Sequence, residues 1–263
     1  MRKLLKKLIL LLVVFTGLGI VVGTLERLRG KVGWVPNHKP KVPYEKYIKR
    51  PLDFGLSLFI LIILSPVMLI TALFVKLKFG SPVLFSQERP GLGEKSFQLL
   101  KFRTMTQEKD SSGTLLPDEA RLTSFGKVLR STSIDELPEL LNILCGDMSM
   151  IGPRPLLVGY LPYYTAGQRH RHDVRPGLTG YAQAHGRNTV DWDDKFKMDV
   201  KYCNNITFRS DVKIIFDTVR TVLKHEGISS KTSATMESFV DYCVKIGRSN
   251  PSCDNSKGKP FRK

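Results

Sequence analysis

Twenty-two consecutive residues, Phe54 to Val75, carry no charge, and no other feature restricts the folding of this 263-residue chain as strongly. As a helix, a stretch of that length covers the ~30 Å hydrocarbon layer of a bilayer, which predicts a segment with lipid as its solvent. Ser65 and Pro66 fall near its centre. Proline lacks the N–H that a helix needs and disfavours helix at the residue before it, so a kink or break is predicted there. Lys46, Lys49 and Arg50 precede the run, and Lys76 and Lys78 follow it. Basic flanks stay on the cytoplasmic side, which puts both ends on one face. A helix broken at Ser65-Pro66 could enter one leaflet and return, its freed carbonyls met by Ser65 or nearby backbone. On the residues alone, a kinked helix that spans the bilayer fits about as well.

A second apolar run, Leu8 to Gly23, follows Arg2, Lys3, Lys6 and Lys7. It has the charged start of a signal peptide, but no small-x-small cleavage site precedes Thr24. A retained anchor is predicted, with Met1 outside, because residues 24–53 hold eight Lys or Arg against four in the first seven. The whole chain has 41 Lys and Arg against 24 Asp and Glu, a net charge of +17. Twelve of those cations fall in residues 1–53, against only Glu26, Glu45 and Asp53. Cations that flank apolar runs point to an anionic membrane surface, whereas nucleic-acid readers spread them over a folded face.

Beyond Lys76 no apolar run is long enough to span, and the pattern is that of a soluble α/β domain. Strand-like runs occur at Val83 to Ser86 and Phe97 to Phe102, with a solvated loop over Gln107 to Asp118. Leu137, Leu140, Leu141 and Leu144 form one apolar helical face, and Val212, Ile215, Phe216, Val219 and Val222 form another. Cys145, Cys203, Cys243 and Cys253 make no CxxC and read as reduced thiols. His170 and His172 flank Arg171 at a spacing unsuited to a metal pair on a helix, and they read as exposed basic residues.

The densest constellation of reactive side chains is Arg130 to Pro155, RSTSIDELPELLNILCGDMSMIGPRP. Pro138 belongs in the first turn of its helix, so that helix begins close to Asp135 or Glu136. Both acids then lie at a helix N-terminus, where orphan amides and the dipole favour an ionised carboxylate, suited to a nucleophile or a magnesium ligand. Ordinary capping explains them too, since Ser133 and Glu136 fit the S-x-x-E capping box. Arg154, held between Pro153 and Pro155, presents a fork suited to phosphate. Arg175, Pro176, Gly177, Gly180, Gly186 and Arg187 read as a basic glycine-rich loop with Gln183 and Asn188, and Lys101 and Arg103 close the second strand-like run.

Several of these segments occur together in one order. They are Lys49-Arg50 with Asp53, Ser65-Pro66, Lys101-Phe102-Arg103-Thr104-Met105, Ser133-Ile134-Asp135-Glu136-Leu137-Pro138, Gly146-Asp147-Met148-Ser149, Gly152-Pro153-Arg154-Pro155, Pro176-Gly177-Leu178-Thr179-Gly180 with Ala182-Gln183, and Gly186-Arg187-Asn188. Over about Tyr44 to Phe239 this series resembles the bacterial monotopic phosphoglycosyl transferases, often called bacterial sugar transferases. The resemblance implies a compact α/β (α+β) catalytic domain on the cytoplasmic face of the bacterial inner membrane, with a re-entrant membrane helix. The predicted division is an anchor extension over 1–43, a re-entrant helix broken at Ser65-Pro66 over 44–80, a catalytic domain over 81–246 and a disordered basic tail over 247–263.

The resemblance also implies a reaction: transfer of a sugar-1-phosphate from a UDP-sugar to undecaprenyl phosphate, with release of UMP, as the first membrane step of glycoconjugate synthesis. Asp135 would be the nucleophile and a Mg2+ ligand, with Glu136 in support. Lys101, Arg130, Arg154 and Arg187 match basic positions and would grip phosphates. Trp192, Lys195, Asp199 and Tyr202 resemble a further pattern, which an amphipathic structural helix explains about as well. The segment from Gly227 to Glu237, with Phe239, resembles small members acting on an N-acetylated amino sugar such as diacetylbacillosamine. A homodimer is compatible with these features, and no nucleic-acid partner is expected. A membrane-anchored binder of lipid phosphates is the main rival, but it gives no reason for the Asp135-Glu136 pair.

Overall fold

The computed structural model describes residues 36, 38–185, 190–223 and 238–248. The Leu8 to Gly23 run, the Gly186-Arg187-Asn188 motif, the Gly227 to Glu237 segment and the tail beyond residue 248 lie outside them.

Helix α1, Lys49–Phe79, follows a π-helical turn over Tyr44–Ile48 and is long and apolar enough to cross a membrane. Of the kink or break expected at Ser65-Pro66, an unwound break is absent: α1 runs through Pro66 as one helix, with the proline inside it. The local chemistry explains this. Pro66 cannot donate to the carbonyl of Ile62, four residues back, and the Ser65 hydroxyl donates to that same carbonyl at 2.8 Å. The orphan acceptor is satisfied without unwinding the helix.

Arg50 Nη1 donates to the Ile143 carbonyl at 2.7 Å, and Lys49 Nζ lies 2.7 Å from Asp211. Asp53 accepts from the Ser149 hydroxyl at 2.6 Å and the Met150 amide at 3.2 Å. At the other end, Arg103 donates to the carbonyls of Phe79 and Pro82 at 2.6 and 3.0 Å, a cation placed at a helix C-terminus. Val75, buried with Phe102 and Leu129, packs the last turns of α1 on the same domain.

That domain is of the α+β kind, with helices packed around two separate two-stranded sheets among the described residues. Strands β1 (Leu84–Pro90) and β2 (Ser96–Phe102) pair antiparallel, with Leu84 opposite Phe102. After the short helix α2 (Asp118–Arg121) come α3 (Ser124–Ser131), a 3-10 turn over Ile134–Glu136, and α4 (Glu139–Cys145). Strand β3 (Ser149–Ile151) pairs in parallel with β4 (Gly177–Thr179), and α5 (Ala166–Arg169) lies between them in sequence. Helices α6 (Tyr181–His185), α7 (Trp192–Asn204), α8 (Phe208–Leu223) and α9 (Phe239–Lys245) complete the described elements.

Two glycines of the basic glycine-rich segment serve a close approach of backbones. A Cβ on Gly177 would lie 2.1 Å from the Gly152 nitrogen, and one on Gly180 would lie 2.1 Å from the Gly152 oxygen. Their absent side chains let β4 reach the turn after β3. Two helical faces also differ from expectation. In α4 the buried residues include Leu140 and Ile143, whereas Leu141 is exposed. In α8 the core takes Asp211 and Ile214, so Val212, Phe216 and Val219 face outward.

Arg171 and His172, expected on the surface, are 2% and 4% exposed. Asp199 of α7 takes the Arg171 charge at 2.8 Å, and the guanidinium lies against the Tyr164 and Phe196 rings. Burial keeps His172 neutral, pushing its imidazole down to about 3. Trp192 and Phe196 join an aromatic cluster with Tyr160, Tyr164 and Phe239, which gives that part of the α7 pattern a packing role.

Candidate active site

Asn142 of α4 is the joint that builds the site. Its side-chain amide donates to the Gln98 carbonyl at 2.8 Å and accepts from the Leu100 amide at 3.1 Å, fixing α4 against β2. This brings Lys101, on β2, over the acids around the start of α4. Lys101 Nζ lies 2.7 Å from Glu136 and 3.1 Å from Glu139. Arg154, from the turn after β3, reaches the same Glu136 oxygen at 2.6 Å. The Arg154 main chain is held in turn, because Arg171 Nη2 donates to its carbonyl at 2.7 Å. Arg130, exposed at the end of α3, donates to the Thr104 hydroxyl at 3.0 Å and acts electrostatically on Asp135. Asp135, Glu136, Lys101, Arg130 and Arg154 are thus brought together. Arg187 lies outside the described residues, and Ser65 and Pro66 lie in the middle of α1.

The helix-end reading of the acid pair is corrected. Asp135 and Glu136 sit in the 3-10 turn, and α4 itself starts three residues later with Pro138 as its N-cap. Ser133 forms no capping box, because its backbone is left-handed at φ 56° and its side chain caps nothing. For a residue other than glycine that conformation costs about 1–3 kcal/mol and persists where the surroundings enforce it. Instead of a lowered value, burial and then the Glu136 charge push the Asp135 carboxyl up to about 6. Desolvation outweighs the cations at this position. Glu136 is the reverse case: burial opposes its charge, but Arg154 and Lys101 together hold it well below the usual carboxylate range.

The two neighbouring acids are therefore unlike. Glu136 is clamped by two cations, while among the described residues no hydrogen bond or salt bridge reaches the Asp135 carboxylate, although the residue is only 7% exposed. A poorly solvated carboxylate with free lone pairs, facing basic groups, can attack an electrophile or bind a cation. No group of three or more His, Cys, Asp or Glu side chains among the described residues is arranged to hold a metal. The site therefore fits a magnesium ion only jointly with phosphate oxygens, the usual mode for that ion. Glu139, raised by burial, and Asn142 were not singled out from sequence. Glu139 was accessible in principle, since it follows Glu136 by one helical spacing. Arg171 carries no comparable signal.

An acid pair ringed by cations, on a small α+β domain bearing a long apolar helix, is an arrangement suited to group transfer. A family model described as bacterial sugar transferase matches residues 44–225. A relative from Bacillus subtilis strain 168, the uncharacterized sugar transferase EpsL, is 54% identical over 192 residues, covering 73% of this chain and 95% of EpsL. A UDP-N-acetylgalactosamine-undecaprenyl-phosphate N-acetylgalactosaminephosphotransferase of Aeromonas hydrophila is 39% identical over 69% of this chain and 45% of its own length. A UDP-glucose:undecaprenyl-phosphate glucose-1-phosphate transferase of Caulobacter vibrioides is 39% identical over 66% of this chain and 69% of its own. The chain belongs to the bacterial sugar transferase family and is a transferase. It spans nearly all of EpsL and under half of the Aeromonas protein.

Proposed function

We propose that this chain transfers a sugar-1-phosphate from a UDP-sugar to undecaprenyl phosphate, through a covalent intermediate on Asp135. The observation that carries this reading is the contrast within the acid pair, one carboxylate clamped and the other buried and uncommitted. An Asp135 oxygen bonds to the sugar-linked phosphorus, the P–O bond of the diphosphate breaks, and UMP leaves with the electron pair. An oxygen of undecaprenyl phosphate then attacks the same phosphorus and frees Asp135, so two easier steps replace one hard one. Glu136 holds Lys101 and Arg154 where phosphoryl oxygens arrive, and Arg130 adds charge from the rim, with Arg187 assigned the same work. Mg2+, with Asp135 as a ligand, would neutralise diphosphate charge when bound.

The membrane is part of this proposal. A helix of 31 residues is about 46 Å long, enough to cross a bilayer. Both of its ends are nevertheless tied to one domain, through Lys49, Arg50 and Asp53 at the start and Arg103 and Val75 at the finish. This supports α1 bending at Ser65-Pro66 while it stays helical, so that it enters and leaves the cytoplasmic face of the inner membrane, with the outward Val212, Phe216 and Val219 stripe of α8 meeting the lipid surface. Cysteine labelling tests it: a cysteine near Lys46 that reacts only from the periplasm, with one near Lys78 reacting only from the cytoplasm, refutes re-entry.

The chemical test is UMP release across a panel of UDP-sugars, with and without undecaprenyl phosphate. Without acceptor, about one equivalent of UMP and a sugar-phosphate adduct on Asp135 are expected. UMP that appears only with acceptor, and no adduct on quenching, would replace the covalent route by direct transfer, with Asp135 kept as a metal ligand.

A further inference from the structure

We propose that Arg89 forms, with Lys101 and Arg154, an anion site that takes a phosphoryl group. This rests on the transferase reading only for which phosphate arrives. Arg89 stands on β1 opposite Phe97, which places it on the sheet face that Lys101 shares, since alternate residues face the same way. Arg89, Leu99, Lys101, Glu139, Arg154 and Pro155 line one cavity.

Among the described residues the guanidinium of Arg89 donates only to neutral acceptors. Nη2 donates to the Gln87 side chain at 2.7 Å and Nη1 to the Pro155 carbonyl at 3.3 Å, while the buried Nε has no acceptor among the described residues. No salt bridge reaches it among those residues, because Glu136 is taken by Lys101 and Arg154, and Glu139 by Lys101. A cation partly removed from water with no carboxylate in salt-bridge contact is costly. Burial and then the nearby Arg154 pull the Arg89 guanidinium down to about 10, and the Glu139 charge across the cavity offsets this only in part, which marks a partly desolvated cation beside a like charge. Two guanidinium forks and an ammonium around one cavity are matched by the oxygens of a phosphoryl group, which accept paired N–H bonds in that geometry. The alternative is that Arg89 merely steadies the Pro155 carbonyl and, through it, the Arg154 turn.

Titration of the full chain in detergent with inorganic pyrophosphate tests the site without turnover. Arg89→Gln should weaken pyrophosphate binding about tenfold or more, as expected for lost charge-assisted bonds. Arg89→Lys, which keeps the stem and charge but loses the fork, should weaken it about threefold or more. Affinity within twofold of the unsubstituted protein in Arg89→Gln overturns the proposal, as does a protein that binds no pyrophosphate at all. If Arg89→Gln does not fold, unchanged affinity in Arg89→Lys overturns it instead. The source of the phosphate follows from parallel arms: UDP affinity falling in step marks the nucleotide, and a raised KM for undecaprenyl phosphate alone marks the lipid. Arg89-dependent pyrophosphate binding in a protein that releases UMP from no UDP-sugar would sink the transferase reading and leave this site standing.

Discussion

The Arg171–Asp199 network and the Lys101–Glu136–Arg154 network use the same residue types within one small domain, but they differ in closure. In the first, the side chains are 1% and 6% exposed, and the guanidinium is shared between a carboxylate, a carbonyl and aromatic faces. In the second, the side chains are 18%, 19% and 42% exposed, and among the described residues the acid Asp135 has no hydrogen bond or salt bridge and the cation Arg89 no salt bridge. The closed network can only hold the fold. The open one retains valences for something that arrives. The two are joined at one point, where Arg171 grips the Arg154 main chain, so the rigid network aims the reactive one.

Substitutions should separate them, with the largest effect at Asp135. Asp135→Asn should lower turnover by about ten-thousandfold or more, as loss of a nucleophile does, while the protein becomes more stable. The sign follows from linkage. The fold raises this carboxyl from 3.8 to about 6, so its contribution to stability is present below pH 3.8 and is lost as pH rises through 6. At pH 8 in EDTA, Asp135→Asn should raise Tm, with a gain in unfolding free energy of at most ~3 kcal/mol, and the gap should close near pH 4. Turnover of the unsubstituted enzyme should fall below about pH 6. A lower Tm for Asp135→Asn at pH 8 would contradict the assignment of Asp135 as the strained member of the site.

Arg171→Ala should cost about 3–5 kcal/mol of stability in thermal or denaturant unfolding, because it strands the Asp199 charge in the interior. Activity of any surviving folded fraction should fall mainly through Arg154. Arg154→Ala should leave Tm nearly unchanged and weaken nucleotide-sugar turnover about tenfold or more, the loss of one charge-assisted contact. If these outcomes are exchanged, with Arg171 tolerant of alanine and Arg154 not, the division into closed and open networks fails. The smallest effect belongs to α1. Ser65→Ala should cost about 1 kcal/mol by stranding the Ile62 carbonyl, and adding Pro66→Ala should restore it, as a double-mutant cycle would show.

Local pattern made part of this legible in the sequence. Strand alternation located β1 and β2 to within a few residues, and the Pro138 rule put the start of α4 close to its acids. What misled was direction and environment. In α8 the apolar stripe is real, but the protein buries the opposite side around Asp211 and Ile214, and periodicity cannot say which solvent a stripe faces. For Asp135 the helix-end argument was local, whereas the raised carboxyl comes from desolvation by tertiary packing. Arg171 between two histidines looked like surface charge because its partner Asp199 lies 28 residues away in sequence. The basic glycine-rich segment reads as a loop from its composition, yet Gly177–Thr179 is a strand, where two backbones approach closely.

The bond from Ser65 to Ile62 implies an order of descent. In an unbroken helix a serine hydroxyl is readily accommodated against the preceding turn, so serine could arrive first at almost no penalty. With α1 in lipid, as proposed, a proline arriving first would leave a carbonyl unsatisfied where no water can relieve it. Ancestral sequences with Ser65 but without Pro66 should therefore outnumber those with the reverse, and the pair should be lost in the opposite sequence, proline before serine.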